Sequence, residues 1–111
     1  VNEHPASFDQ GNPGTMEEFA AARSRCTRLW LLRILDASPS RCGNDDLMHA
    51  GLSHVGLPMA HDELLTHLHY MAEKDLVQLE YVDDFSFKVW VIKLTRKGHD
   101  VVNDLIVVEG I

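Results

Sequence analysis

The chain has 111 residues, 45% of them hydrophobic, which suits one globular domain with one modest core and excludes a disordered chain. Seventeen acids against ten Lys plus Arg leave a formal charge of -7, which repels a polyanion at long range and argues against a broad basic face. Two cysteines, Cys26 and Cys42, are too few for a disulfide scaffold, no apolar run is long enough for a membrane span, and Val1-Asn-Glu-His-Pro5 lacks the basic start of a signal peptide, so a cytoplasmic protein with reduced thiols is expected.

Residues 1–14 hold Pro5, Gly11, Pro13 and Gly14 without periodicity and read as a flexible tail; residues 15–111 read as one domain. Thr15-Met-Glu-Glu18 has the capping-box pattern and should start a first helix, which Ser38-Pro39-Ser40 should stop after about Ala37. Its second half, Leu29-Trp-Leu-Leu-Arg-Ile-Leu35, is apolar almost all round and must be covered on more than one side. Leu29, Trp30 and Ile34 are therefore candidate contacts with a second copy; burial within one monomer, helped by the C-terminal helix, is the alternative. Arg23, Arg25, Arg28 and Arg33 scatter around this helix and read as solvated or ion-paired.

A second helix should start at Asn44, with Asp45 and Asp46 at the positive end of its dipole. Leu47, Met48, Gly51, Leu52 and Val55 make its core stripe, and Gly56-Leu57-Pro58 ends it. Residues 61–75 read as a third helix behind Ala60, a poor cap. Leu64, Leu65, Leu68, Met71 and Ala72 should be buried, leaving Asp62, Glu63, Thr66, His67, His69, Tyr70, Glu73 and Lys74 outside or at the edges.

Residues 76–82 alternate as a strand, residues 87–94 are rich in β-branched and aromatic side chains, and Asp83-Asp84-Phe85-Ser86 joins them. Thr95 should cap a last helix from about Arg96 to Asp104, with Val101, Val102 and Leu105 facing inward. The apolar end, residues 106–111, is expected to be extended and to dock on this chain or a partner.

This order of elements is an α+β winged helix-turn-helix: three helices, a two-stranded hairpin wing and a C-terminal helix. Residues 61–75 stand where a DNA-reading helix stands. Several stretches also match a known pattern: the apolar run 29–35, Gly56-x-Pro58, Lys74-Asp75-Leu76-Val77, Val89-Trp90-Val91, Leu94-Thr95-x-x-Gly98 and Val108-Glu109-Gly110. Over roughly residues 25–111 the chain resembles a family of small winged-helix, ArsR-like proteins of Mu-like phages and prophages. That resemblance implies a phage-derived protein of the host cytosol and transfers no catalytic or binding residue. A more general similarity to winged-helix repressors implies DNA binding through the third helix and the wing.

The surface chemistry departs from the repressor pattern. Residues 61–75 contain four acids (Asp62, Glu63, Glu73, Asp75) and one base (Lys74), and the wing tip carries Asp83 and Asp84. Phosphate contacts come chiefly from Lys, Arg and backbone amides. The residues left to contact DNA or another partner are Thr66, His67, His69, Tyr70, Lys74 and Lys88. Two readings follow: a DNA-binding regulator on double-stranded DNA, and an acidic interaction module that binds a protein or a second copy. Metal sensing gains no support from spacing, because His67 and His69 point to different helix faces and His49 and His54 are five apart. No catalytic motif, metal site or cofactor motif is found.

Overall fold

The computed structural model describes residues 13–111. Helix α1 runs Pro13–Ala37, and a 3-10 turn, Pro39–Arg41, follows. Strand β1 is Cys42–Asn44, α2 is Asp45–His54 and α3 is His61–Glu73. Strands β2, Val77–Asp84, and β3, Phe87–Leu94, form the hairpin, and α4 is Arg96–Val102. The order is that of a winged helix-turn-helix, with α2 and α3 as the helix pair and β2–β3 as the wing.

Several boundaries differ from expectation; α3 ends at Glu73, short of residue 75, and α4 at Val102, short of Asp104. Pro13 and Gly14 are helical, so Thr15 lies inside α1 and does not open it; the fixed φ of proline suits a helix's first turn. The rest of the expected tail, residues 1–12, lies outside the described residues. The hairpin loop shrinks to Phe85 and Ser86, because Asp83 pairs with Lys88 and Asp84 with Phe87. Phe85 adopts φ +53 at this turn, which bulky residues rarely tolerate.

The sheet has a third strand that periodicity did not reveal. Ser40 and Arg41, at φ +58 and +52, turn the chain so that Cys42 pairs with Lys93, and Asn44 with Val91. The order is β1-β3-β2, antiparallel throughout. Three residues of weak strand propensity carry no readable pattern; their pairing is imposed by β3.

The core joins Leu31, Leu32 and Leu35 of α1, Met48 and Leu52 of α2, and Leu64, Leu68 and Met71 of α3. Leu76, Val77, Ile92 and Val101 close it. Each fully buried leucine contributes about 1.5–3 kcal/mol. One monomer thus covers most of the apolar run of α1, while Trp30 and Ile34 pack at the edge of the core and Leu29 is half-buried. Gly51 makes room for Ile34: a Cβ there would lie 2.8 Å from Ile34 Cδ1.

Several apolar residues depart from their expected positions, Leu65 and Ala72 among them, which are half-buried. Leu47 and Leu105 are exposed, the latter because α4 ends at Val102 and Asp104, at φ +60, turns the chain outward. Val55 is half-buried. The caps hold: Asn44 Oδ1 accepts from Leu47 N, Thr95 Oγ1 accepts from Gly98 N, and Ala60 gives α3 no side-chain cap.

The first half of α1 projects from this body. Residues 16–22 are all exposed, Met16 and Phe19 among them. A 25-residue helix is about 37 Å long, and the molecule accordingly measures 59 × 35 × 23 Å.

Candidate functional site

Helix α3 buries Leu64, Leu68 and Met71 and turns the opposite stripe to solvent. That stripe is Asp62, Thr66, His69 and Glu73, at the i, i+4, i+7, i+11 spacing of one helix face, and all four are exposed. The Thr66 hydroxyl donates to the Asp62 carbonyl at 3.0 Å and keeps its lone pairs free to accept. The stripe contains no Lys or Arg.

His69 meets Trp90 of β3 edge to face, 5.2 Å between centroids. Trp90 in turn lies 5.0 Å from Tyr81, its cross-strand partner. These three rings join α3 to the wing, and edge-to-face pairs add about 0.5–1.5 kcal/mol beyond burial. The corner is anchored from behind: the Trp90 backbone N–H donates to Asp45 Oδ1 at 3.1 Å, and Asp45 Oδ2 meets His61 Nε2 at 2.7 Å. Lys88 is exposed further out, opposite Asp83. At the tip, Phe85 is 95% and Phe87 68% exposed.

Three residues expected at this surface are engaged elsewhere. His67, expected outside, is 5% exposed. Its Nδ1 accepts from Arg28 Nε at 3.1 Å, and Glu63 lies 3.9 Å from its Nε2. Position 67 faces α1, one turn beyond Leu64, which is why the ring is enclosed. Burial holds its pKa below the ordinary 6.5; Arg28 and Arg23 push the same way and Glu63 opposes. Tyr70 is half-buried under the Arg28 guanidinium, and its hydroxyl donates to the Glu109 carbonyl at 3.1 Å. Lys74 is half-buried, 5.4 Å from the Tyr70 ring.

Arg28 is the centre of this second network, and sequence reading gave it no role beyond solvation or ion pairing. It also donates from Nη1 to the Gly110 carbonyl at 2.9 Å, so the C-terminal segment is tied across α1 and α3. Val108 and Ile111 pack on the core, while Val107 remains exposed. Glu63 pairs with Arg23 at 2.9 Å, which compensates one of the four acids of residues 61–75. Asp45 and His61 were likewise missed as a pair. The sequence signal was only an acid at a helix start, which helix-dipole chemistry already explains. Together with Asp46 they place three possible metal-donor atoms within 4.8 Å of one another.

On the remaining face of α1, Leu29, Trp30 and Ile34 are half-buried, and the Arg33 guanidinium lies 5.4 Å from the Trp30 ring centre. Cys26, exposed, and Cys42 are free thiols. No described helix is long and apolar enough to cross a membrane.

No protein family and no curated protein sequence matches the chain. Among solved structures, the complex structure of hsRosR-S1 is similar, with a TM-score of 0.57 at 20% identity. The similarity covers 69% of this chain and 64% of hsRosR-S1, so less than two thirds of that protein is spanned. At this identity the likeness is one of fold.

Proposed function

We propose that the protein is a winged-helix regulator that docks on double-stranded DNA through the exposed stripe of α3, with the β2–β3 wing alongside. The observation that supports this reading is the presentation of α3. Its inner face is locked in the core, while Thr66 and His69 stand free on the outer face, held beside the wing by Trp90. Thr66 and His69 supply hydrogen-bonding groups for base edges, and a carboxylate such as Asp62 or Glu73 accepts from cytosine N4. The stripe offers no cation to phosphate, so affinity comes less from counterion release than in basic repressors. Lys88, exposed on the wing, is available for backbone contact, whereas Lys74 beside the stripe lies against the Tyr70 ring. Salt that shortens the Debye length to about 3 Å at 1 M removes most of the long-range repulsion. The test is selection from a random duplex pool, followed by anisotropy titration of the selected sequence across a salt series.

A second reading is favoured by the wing tip. Phe85 and Phe87 are exposed beside Asp83 and Asp84, and an aromatic tip with acidic neighbours suits a protein surface better than a phosphate backbone. In this reading the domain is an interaction module. Pull-down of a protein partner that Phe85→Ser releases, with no duplex recovered by selection, would favour it.

Both readings gain from a second copy packed along α1. Met16 and Phe19 are 64% and 71% exposed on a projecting segment, and a few helical turns are marginal in water without cover. Leu29, Trp30 and Ile34 continue the available apolar surface toward the body. The readings place the protein in the cytoplasm, with residues 15–111 as its functional domain. Descent from a phage rests on the sequence resemblance alone.

A further inference from the structure

We propose that Asp45, Asp46 and His61 form a binding site for a divalent first-row transition-metal ion at the junction of α2, α3 and β3. One carboxyl oxygen from each aspartate and one ring nitrogen of His61 lie within 4.8 Å of one another. The three come from two elements, the first turn of α2 and the first residue of α3.

Asp45 sets the geometry. It is 4% exposed, a charge that burial makes costly unless it is paired or bound to metal. Its Oδ1 is held by the Trp90 backbone N–H, which leaves Oδ2 aimed at His61 Nε2, 2.7 Å away. A ligand carboxylate fixed through its other oxygen is the usual outer-shell arrangement of metal sites. Asp46 is exposed and has no Lys or Arg ion-pair partner among the described residues. Two carboxylates thus converge on a single imidazole.

Charge favours the cation. The N-terminus of α2 opposes it with about half a positive charge, against two full negative charges on the aspartates. A mixed imidazole and carboxylate donor set suits ions such as Zn2+, Mn2+ or Co2+. Such ions hold N and O donors at about 2.0–2.2 Å. Binding replaces the 2.7 Å hydrogen bond between Asp45 Oδ2 and His61 Nε2, releases the proton they share to solvent, and draws in the exposed Asp46 side chain by rotation. Water completes the coordination. His49, whose ring lies 6.2 Å from that of His61, hydrogen-bonds the Met59 carbonyl and stays outside this set. The bound ion clasps the first turns of the two helices of the helix-turn-helix. The site does not depend on which macromolecule α3 contacts.

The test is calorimetric titration of the full chain with ZnCl2 at neutral pH, beside the visible absorption of Co2+ as a report of its ligands. Wild type is expected to take up one ion per chain at this site and to unfold at higher temperature when loaded. Asp46→Asn and His61→Gln are each expected to weaken binding by at least about tenfold. Both residues are exposed, so circular dichroism should show each variant folded. His99→Gln, which removes an imidazole paired with Asp36 elsewhere in the fold, should bind as wild type does. The proposal is overturned if no saturable binding occurs, or if Asp46→Asn and His61→Gln bind like wild type. Mg2+ bound as tightly as Zn2+ would overturn the mixed donor set.

Discussion

The Arg28 guanidinium lies 3.7 Å from the centre of the Tyr70 ring, stacked on the residue that sequence reading assigned to the outer surface of α3. The same guanidinium donates to His67 and to the Gly110 carbonyl. One α1 side chain thereby fixes α3 and the C-terminal segment together. Planar stacking with two directed donors is a geometry that lysine cannot reproduce. Arg28→Lys should therefore destabilise the fold by about 1–2 kcal/mol, read as a lower urea midpoint at constant slope. An unchanged midpoint would mean that burial of Val108 and Ile111 holds the segment unaided.

His67 gives stability a pH dependence whose sign follows from its depressed pKa. The unfolded chain takes up the proton near 6.5, whereas the folded chain resists it until lower pH. The contribution is therefore complete above the unfolded value and is lost as pH falls through the folded one. Thermal midpoints measured downward from pH 7 should drop. His67→Asn keeps an acceptor for Arg28 without titrating in this range, and should show a shallower drop. Parallel profiles for the two proteins would remove His67 as the cause.

Gly98 sits in the first turn of α4 against the root of the wing. A Cβ there would collide with the Leu76 carbonyl, which is backbone and cannot swing away, and with Leu94. Thr95 joins the same place, its N–H and hydroxyl both donating to Leu76 O. Gly98→Ala should cost about 1–3 kcal/mol, as overpacking does. Chemical denaturation checks this, and a cost near zero would mean that α4 shifts freely on the sheet.

Phe19 reports on the projecting half of α1. Phe19→Glu removes no core contact, since the side chain is 71% exposed. Sedimentation equilibrium should show wild type as a dimer and Phe19→Glu shifted toward monomer, with unchanged circular dichroism per residue. A wild-type monomer at all concentrations would rule out a second copy on α1.

The fold was legible where patterns are long. The core positions Met48 and Leu52 of α2 and Leu64, Leu68 and Met71 of α3, the caps Asn44 and Thr95 and the two wing strands could be read from spacing, because periodic burial leaves a local signature. Strand β1 left none, since three residues pair only because β3 lies beside them. The exposed face of α3 was legible in part. Thr66 and His69 are exposed as read, but His67 sits between two helices, and nothing within α3 shows that α1 passes there with Arg28. The Asp45 and His61 pair was hidden for the same reason, being 16 residues apart and joined only by the packing of α2 on α3.

The central claim is that the free stripe of α3 reads duplex DNA. It is tested most directly by anisotropy titration of a labelled duplex, selected from a random pool, with wild type and a Thr66→Ala, His69→Ala double variant. The account predicts saturable wild-type binding with a shallow salt slope, because few phosphates are neutralised, and binding weakened at least about tenfold in the variant, as loss of base contacts worth about 1–3 kcal/mol each requires. Failure to select any duplex, or a variant that binds as tightly as wild type, would contradict it.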